Sequence, residues 1–337
     1  MKRDSSLAEV ADTVREEVPV ARYAGYRRGF HVRAIGDRLF NLATLALALI
    51  ILALLFAITI ELITRSEPSI RAFGWRFLIS TDWNPATDQY GALPFIYGTA
   101  VSSALALLIA VPLSLGVALC LSELAPDWLS HKLGFLVELL AAIPSVVYGL
   151  WGIFVLGPWL RDYLDPVLGR YLGFLPLFQG PHVSVSMLTA GVVLAIMILP
   201  YIASVSTDVF RVVPRSQREA AFALGATRWE MVRMAVLPYG TSGIIGAIIL
   251  GLGRALGETI AVAMVIGNRG VISASLFMPS ATLASVIANE FMEAMSELNV
   301  ASLIELGLVL LAFGLILNVL ARALVLGVTQ GRFGEGE

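Results

Sequence analysis

The stretch from Glu219 to Pro238 reads E-A-A-F-A-L-G-A-T-R-W-E-M-V-R-M-A-V-L-P. It is a charged, helix-forming segment between two long apolar runs, and it contains signals for a helix end and a helix start. Gly225 suits a left-handed C-terminal cap, and Thr227 followed by Glu230 three residues later suits a capping box. The pattern therefore predicts two short helices that meet at a glycine.

The second of these helices is expected to place Trp229, Val232 and Val236 on one face. Pro238 then fits the first turn of the next apolar run. Two short helices joined in this way would make a rigid knob that can fill a cleft on another protein. The alternative is an ordinary amphipathic loop that lies flat in the lipid headgroups.

The order of residues in this stretch is E-A-A, three residues, G, nine residues, a hydrophobic position, one residue and L-P. It resembles the signature loop of importer-type ABC transporter permeases, with Ala235 as a departure because the family usually has a larger aliphatic residue there. The resemblance implies that the loop couples the chain to ATP-binding subunits. The residues assigned to this contact are Glu219, Ala220, Ala221, Gly225, Ala226, Leu237 and Pro238.

The composition predicts a membrane protein, because 58% of the 337 residues are hydrophobic and only 14% are charged. Runs long enough to cross about 30 Å of hydrocarbon predict six transmembrane helices in an all-α, polytopic fold. The resemblance implies the type I ABC importer permease fold. The six runs lie near 39–63, 98–121, 133–157, 186–207, 239–266 and 303–327.

The distribution of Lys and Arg predicts the orientation. With the N-terminus inside, 16 of the 23 basic residues lie on the cytoplasmic side and 6 on the outer side, with Arg254 inside a span. The predicted organisation is a cytoplasmic tail (1–37), a first transmembrane helix (38–64), an outer interfacial segment (65–92), a five-helix permease core (93–327) with a cytoplasmic coupling loop (208–238), and a cytoplasmic C-terminal tail (328–337).

The fifth span contains two charged residues, Arg254 and Glu258, four positions apart and so on one helix face. A lone charge in hydrocarbon costs about 2.5–3.5 kcal/mol on insertion scales, so Arg254 needs a partner or a water-filled path. In one interpretation the two side chains only neutralise each other and fix helix packing. In the other they line a substrate path, with Arg254 as a forked donor to an oxyanion and Glu258 as its holder between transits.

The sequence around these two residues, G-R-A-L-G-E-T-I-A, resembles the corresponding sequence in permease subunits of the phosphate-specific transport (Pst) system. In that family this Arg and Glu are implicated in phosphate passage. Other segments share the resemblance, and T-L-A-S-V-I-A-N-E-F favours a PstC-type over a PstA-type subunit. The resemblance implies that the chain moves phosphate across the bacterial inner membrane. It also implies four partners: a PstA-type permease, two PstB-type ATP-binding subunits and a PstS-type external phosphate-binding protein.

Two other functions remain open. One is a permease for another oxyanion, such as sulfate or molybdate, and the other is a non-transporting membrane scaffold or sensor. No Gly-Lys pair suited to a phosphate-binding loop is present, so the chain is expected not to be an ATPase or another enzyme. One cysteine and three scattered histidines predict no metal site and no cofactor, and a net charge of −2 gives no sign of nucleic-acid binding.

Two further patterns allow alternatives. Pro112, Pro144 and Pro200 each fall inside a candidate span, where a bend could serve either a gated path or simple packing. The 282–297 segment is expected to form an amphipathic outer helix that carries Glu290, Glu293 and Glu297. These acids would form either a solvated face or a docking surface for an external protein.

Overall fold

The computed structural model describes residues 28–333, with side chains from 38 to 323. These residues form helices joined by short loops, and within them only isolated β-bridges occur. The helices are α1 (Arg28–Arg65), α2 (Glu67–Phe73), α3 (Leu93–Leu124), α4 (Asp127–Ala141), α5 (Ser145–Leu172), α6 (Met187–Val212), α7 (Arg215–Ala223), α8 (Arg228–Gly257), α9 (Ile260–Val265), α10 (Leu283–Glu290) and α11 (Glu297–Phe333). Most of the predicted N-terminal tail, and the last four residues, lie outside the described part.

The number of spans agrees with the prediction once a bent pair is counted as one. Within the described residues, α1, α3, α6, α8 and α11 are long and apolar enough to cross a membrane. The helices α4 and α5 pass the same test together but meet at 87°. The structure therefore confirms an all-α, polytopic membrane fold, in which a sharply bent helix pair stands in the place of the predicted third span.

The bend lies at the position of Pro144, whose backbone is extended (ψ 140°). Proline disfavours helical geometry in the residue before it, and α4 accordingly ends at Ala141. Two tyrosine hydroxyls satisfy carbonyls at the end of α4. The Tyr148 hydroxyl donates to the Leu140 oxygen (2.9 Å), and the Tyr201 hydroxyl donates to the Ala141 oxygen (2.8 Å). Pro112 and Pro200, in contrast, lie inside continuous helices.

Helix α6 is the centre of the unit formed by residues 61–337. Its most apolar stretch is 67% buried, against at most 28% in the other unbroken spans. It packs along α3 and α8. At Gly191 a Cβ atom would lie 2.4 Å from a methyl carbon of Leu105, so glycine is needed there for α3 and α6 to approach so closely.

Helix α1 begins ten residues before the predicted start of the first span, and residues up to Ile60 form a separate unit. Its side chains from Arg38 to Ile60 are exposed, except for a half-buried Thr59, and they are almost all apolar. An apolar, exposed surface of this kind suits contact with lipid.

The segment that was predicted to lie at the outer interface (65–92) packs against the helices that follow it. Phe77 and Tyr90 are buried in a cluster with Phe95 of α3 and with Leu283 and Leu303 of the helices α10 and α11. The Trp83 ring makes edge-on contacts, at 5.0 Å between centroids, with the rings of Tyr90 and Phe95. Aromatic packing therefore fixes the segment before α3 against the segment before α11.

Two predicted helices are divided in the structure, and a third extends further than its apolar run. The expected 282–297 helix is two elements, because α10 ends at Glu290 and α11 begins at Glu297. Helix α11 continues through the first part of the predicted C-terminal tail, to Phe333. The fifth span is discontinuous: α8 ends at Gly257, Glu258 is extended (ψ 122°), and α9 starts at Ile260.

Candidate functional site

The 208–238 loop has the predicted cap at Gly225, which has φ of +82°. The Gly225 N–H donates to the Phe222 carbonyl (2.9 Å), and the Ala226 N–H donates to the Ala221 carbonyl (3.1 Å). This pair of bonds is a Schellman motif, which satisfies the carbonyls at the end of α7. The predicted cap therefore ends α7 at the glycine, but the predicted second short helix was wrong, because it is the first part of the 30-residue α8, which continues through Pro238.

The start of α8 has the predicted capping box. The Thr227 hydroxyl accepts from the Glu230 N–H (3.4 Å), and the Glu230 carboxylate accepts from the Thr227 N–H (2.8 Å). The prediction that Trp229 shares a face with Val232 and Val236 was wrong, because Trp229 is 63% exposed whereas the two valines are buried. A π-helical turn at Val232–Val236 adds a residue to the helix, and Met231 is buried beside Val232 and Val236.

The loop is held to the membrane helices by Arg218, which sequence reasoning missed. Its Nε and Nη2 donate to the two carboxylate oxygens of Glu123 in α3 (3.2 and 2.7 Å). Its Nη1 and Nη2 also donate to the carbonyls of Val213 (2.5 Å) and Phe210 (2.8 Å). Both charged side chains are largely buried. One guanidinium thus ties α7 to the last turn of α3 and the end of α6.

The residues predicted to contact ATP-binding subunits divide between surface and interior. Glu219, Ala220 and Gly225 are exposed, whereas Ala221 is buried, and Ala226, Leu237 and Pro238 are partly buried. The inner residues therefore hold the knob on the bundle, and the outer ones are available to a partner. Large apolar side chains are exposed among them: Phe222, Leu224 and Trp229.

Arg254 lies inside α8 and stacks on an aromatic ring. Its guanidinium carbon is 4.2 Å from the centroid of the Tyr201 ring in α6. Its Nε is buried and has no hydrogen-bond partner. The cation is thus stabilised by the face of a tyrosine, whose hydroxyl is already engaged by the Ala141 carbonyl.

The expected pairing of Arg254 with Glu258 was wrong in its geometry. The helix ends between the two residues, so they do not share a helix face, and no ion pair joins them among the described residues. The Glu258 carboxylate accepts instead from the Ala261 N–H (3.3 Å) at the start of α9. It stabilises the helix that follows the break rather than the arginine that precedes it.

Arg254 opens onto a groove of about 590 Å³, which we call the Arg254 groove. A Cβ atom at Gly246 or Gly253 would meet no heavy atom within 4 Å. In contrast, one at Gly243 would lie 2.5 Å from a Val209 methyl group, so this glycine permits helix packing. The residues that line the groove are Tyr201, Gly246, Ile249, Leu250, Gly253, Arg254 and Asn318.

The three outer acids do not form the single helix face that was expected. The Glu290 carboxylate accepts from the indole N–H of Trp83 (2.8 Å). Burial raises the pKa of the Glu290 carboxyl, and this hydrogen bond offsets part of the rise. Glu293 lies in the break after α10, and Glu297 starts α11. Glu290 therefore belongs to the packing of the outer segment, which leaves Glu293 and Glu297 exposed.

Metal ligands are not clustered in the part of the chain that the structure describes, where no group of three His, Cys, Asp or Glu side chains could hold an ion. Two arginines in the described part have partly or largely buried guanidinium groups of interest: Arg254 in the groove, and Arg218 at the junction of the 208–238 loop with the membrane helices.

Comparisons with known proteins cover nearly the whole chain. Residues 110–330 match the family model described as binding-protein-dependent transport system inner membrane component. A phosphate transport system permease protein PstC from Mesorhizobium japonicum is 44% identical over 321 residues, which are 94% of this chain and 97% of that protein. The protein of the same name from Haemophilus influenzae is 46% identical over 298 residues, which are 87% of this chain and 94% of that protein.

Among solved structures, a bacterial ABC transporter involved in the import of the acidic polysaccharide alginate has a similar fold. The TM-score is 0.51 at 17% identity, and the match covers 87% of this chain and 99% of that one. At such low identity the similarity concerns the fold alone.

Proposed function

The chain belongs to the phosphate transport system permease proteins PstC, within the inner membrane components of binding-protein-dependent transport systems, and we propose that it forms part of the path by which an ATP-driven importer moves inorganic phosphate inward. Phosphate is proposed on the names of the relatives, since the groove accommodates the chemistry of tetrahedral oxyanions in general. The Arg254 groove is the observation that carries a transport role rather than a scaffold role.

The position of Arg254 supports this role on energetic grounds. A charge within a span costs several kcal/mol unless it is paired or reaches water. Arg254 has a tyrosine face but no carboxylate, and its Nε has no acceptor. Guanidinium groups bind the oxygens of phosphate through two parallel N–H bonds. An anion that enters the groove would therefore supply the acceptors that the protein leaves out.

The sequence predicted that Glu258 holds the Arg254 guanidinium between the passage of one anion and the next. In this proposal Tyr201 has that role. A ring face stabilises the cation without competing for its N–H groups. The anion can then bind to the edge of the guanidinium without first displacing a carboxylate. Glu258 remains a path residue only through its place at the break between α8 and α9, where its carboxylate is partly exposed.

The partners proposed are those of an ABC importer: a second permease of the PstA type, two cytosolic ATP-binding subunits of the PstB type and an external binding protein of the PstS type. The 208–238 loop would dock on an ATP-binding subunit, with the N-terminus on the same, cytoplasmic side. Support comes from the exposed apolar side chains of Phe222, Leu224 and Trp229, which are unusual on a polar surface. Changes to the shape of the knob should then alter the phosphate moved per ATP hydrolysed.

Helix α8 would connect the docking surface to the groove. It runs without a break from Arg228 to Gly257, so Arg254 lies about 39 Å from its start at 1.5 Å per residue. Movement of the knob by the ATP-binding subunits would move this rod. The Arg254 groove would thereby change its exposure to the two sides of the membrane, which is the requirement for alternating access.

The test is phosphate uptake by the assembled transporter with Arg254→Gln, alongside membrane abundance and ATP hydrolysis. We expect uptake to fall at least tenfold, since a charged hydrogen-bond donor to the anion is lost, while abundance is retained. Arg254→Lys keeps the charge but not the fork and should retain part of the uptake. Arg170→Gln, at an exposed position outside the groove, is the matched control. Normal uptake in Arg254→Gln would reject the path that we propose.

A further inference from the structure

Asn318 of α11 lines the Arg254 groove together with Arg254 itself. It lies within the span Glu297–Ala323, which is otherwise strongly apolar. Within the described residues its side chain has no hydrogen-bond partner, unlike the Tyr201 hydroxyl in the same groove, which donates to Ala141. Two side chains in the groove thus have polar atoms that no protein group satisfies.

Asn318 is half-buried and lines the groove, and a polar side chain within a span is unfavourable unless it meets another polar group or water. Apolar side chains would line a helix-packing groove or a lipid contact at lower cost. Ile249 and Leu250 do line it on the α8 side. The convergence of Asn318 and Arg254 from different helices therefore favours a polar ligand over packing.

The two side chains differ in what they can offer. A guanidinium only donates hydrogen bonds, whereas a primary amide has two donor hydrogens and an acceptor oxygen. A phosphate ion near neutral pH carries at least one P–O–H group, which needs an acceptor. The Glu258 carboxylate is engaged at the Ala261 N–H and does not line the groove. Among the lining side chains the Asn318 amide and the Tyr201 hydroxyl can each accept, and of these two groups only the Asn318 amide makes no hydrogen bond within the described residues.

We propose that Asn318 is a substrate-contacting and specificity-determining residue: its amide binds a protonated tetrahedral oxyanion across the groove from Arg254, donating to a P–O oxygen and accepting from the P–O–H group. This inference rests on the proposed transport function. It assigns to Asn318 the selection for a protonated anion, so that fully ionised sulfate would lack one of the contacts.

The experiment compares Asn318→Leu and Asn318→Gln in the complete transporter with all its subunits. Leucine has a similar size but no polar atoms, and glutamine keeps the amide on a longer chain. Maximal phosphate uptake and phosphate moved per ATP hydrolysed are measured, each normalised to membrane abundance. The control is Val319→Leu, at the neighbouring exposed position of the same helix, which does not line the groove. Arg254→Gln is measured in parallel.

The expected result is a roughly tenfold or greater loss of uptake in Asn318→Leu, the size expected for a hydrogen bond to a charged ligand. Uptake should recover in part with Asn318→Gln, and phosphate moved per ATP should fall in Asn318→Leu. A fall in abundance that accounts for the whole loss, or equal uptake in Asn318→Leu and Val319→Leu, would overturn the role of Asn318. If Arg254→Gln still loses uptake in that case, the proposed function stands without it. Normal uptake in Arg254→Gln would instead remove the groove from the transport path altogether.

Discussion

The chain uses two arginines in opposite ways. Arg218 lies at the junction of the 208–238 loop with the bundle, and its guanidinium makes four hydrogen bonds, to Glu123 and to two backbone carbonyls. Arg254 lies in a span, and the protein gives it an aromatic face but leaves Nε without an acceptor. A satisfied cation holds elements together, whereas an incompletely satisfied one is available to bind. The number of hydrogen bonds that each guanidinium makes therefore distinguishes the junction at Arg218, which is structural, from the Arg254 groove, which is the candidate binding region.

The largest effect on this comparison is expected from Arg218→Met. The substitution leaves the nearly buried carboxylate of Glu123 without its partner. Removal of one member of a buried ion pair costs about 3–5 kcal/mol, and we expect a lower midpoint of thermal unfolding for the solubilised protein. Arg215→Met, at an exposed site of the same helix with no ion pair among the described residues, is the control.

A second substitution tests whether the loss of stability comes from the unpaired Glu123 carboxylate. Glu123→Gln added to Arg218→Met removes the unpaired charge and should recover part of the lost stability. If the Arg218 and Arg215 variants were equally stable, the ion pair would not hold the loop, and the contrast between the two arginines would fail.

A smaller effect is expected from Gly225→Ala. Its φ of +82° costs a residue with a Cβ about 1–2 kcal/mol, although the added Cβ would meet nothing within 4 Å. The loss should therefore appear as a change in the shape of the knob, measured as less phosphate moved per ATP hydrolysed. Gly314→Ala, in the interior of α11 and equally free of contacts, should leave this ratio unchanged. Full coupling in Gly225→Ala would count against the knob as the coupling element.

The smallest effect is expected from Tyr201→Leu, which removes the ring beneath Arg254. The loss of a cation–π contact is worth about 1 kcal/mol, or about a fivefold decrease in uptake. Tyr201→Phe keeps the ring and should keep most of the uptake. In an Arg254→Gln background, Tyr201→Leu should have little further effect, since its action depends on the guanidinium. Additive losses in this double-mutant cycle would show that Tyr201 acts independently of Arg254.

The sequence was informative where the determining contacts are local. The cap at Gly225 and the capping box of Thr227 and Glu230 involve residues within five positions of each other, and each was predicted correctly. The helical, multi-span fold followed from long apolar runs. The bend at Pro144 also has a local cause, although its angle of 87° depends on packing.

The sequence was uninformative where the contacts are distant. Arg218 and Glu123 are 95 positions apart, and neither residue carries a local signal of the other. Asn318 reaches the groove from a helix more than sixty positions after α8 begins, and a single Asn in a span does not indicate which side it faces. Trp229 was misplaced because helical spacing alone does not show that Met231, rather than Trp229, is buried beside Val232.

The break at Glu258 and Thr259 was missed for a related reason, since Glu is a good helix former and four-residue spacing normally joins charges on one face. The helix ends there because the chain turns to place α9 against α5, where a Cβ at Gly149 would lie 2.6 Å from the sulfur of Met264.

The break at Glu258 and Thr259 also divides the fifth span into the long helix α8 and the short helix α9, which packs against α5. The proposed docking knob lies at one end of α8 and Arg254 lies one turn before the other end, so a tilt of about 5° about the knob would move the guanidinium by about 3 Å over about 39 Å of helix. In this proposal the joint absorbs that tilt at Glu258, which is extended, and at Thr259, so that α9 can keep its contact with α5. In the proposed mechanism, a movement that begins at the knob would therefore end at Arg254, while α9 would keep its position.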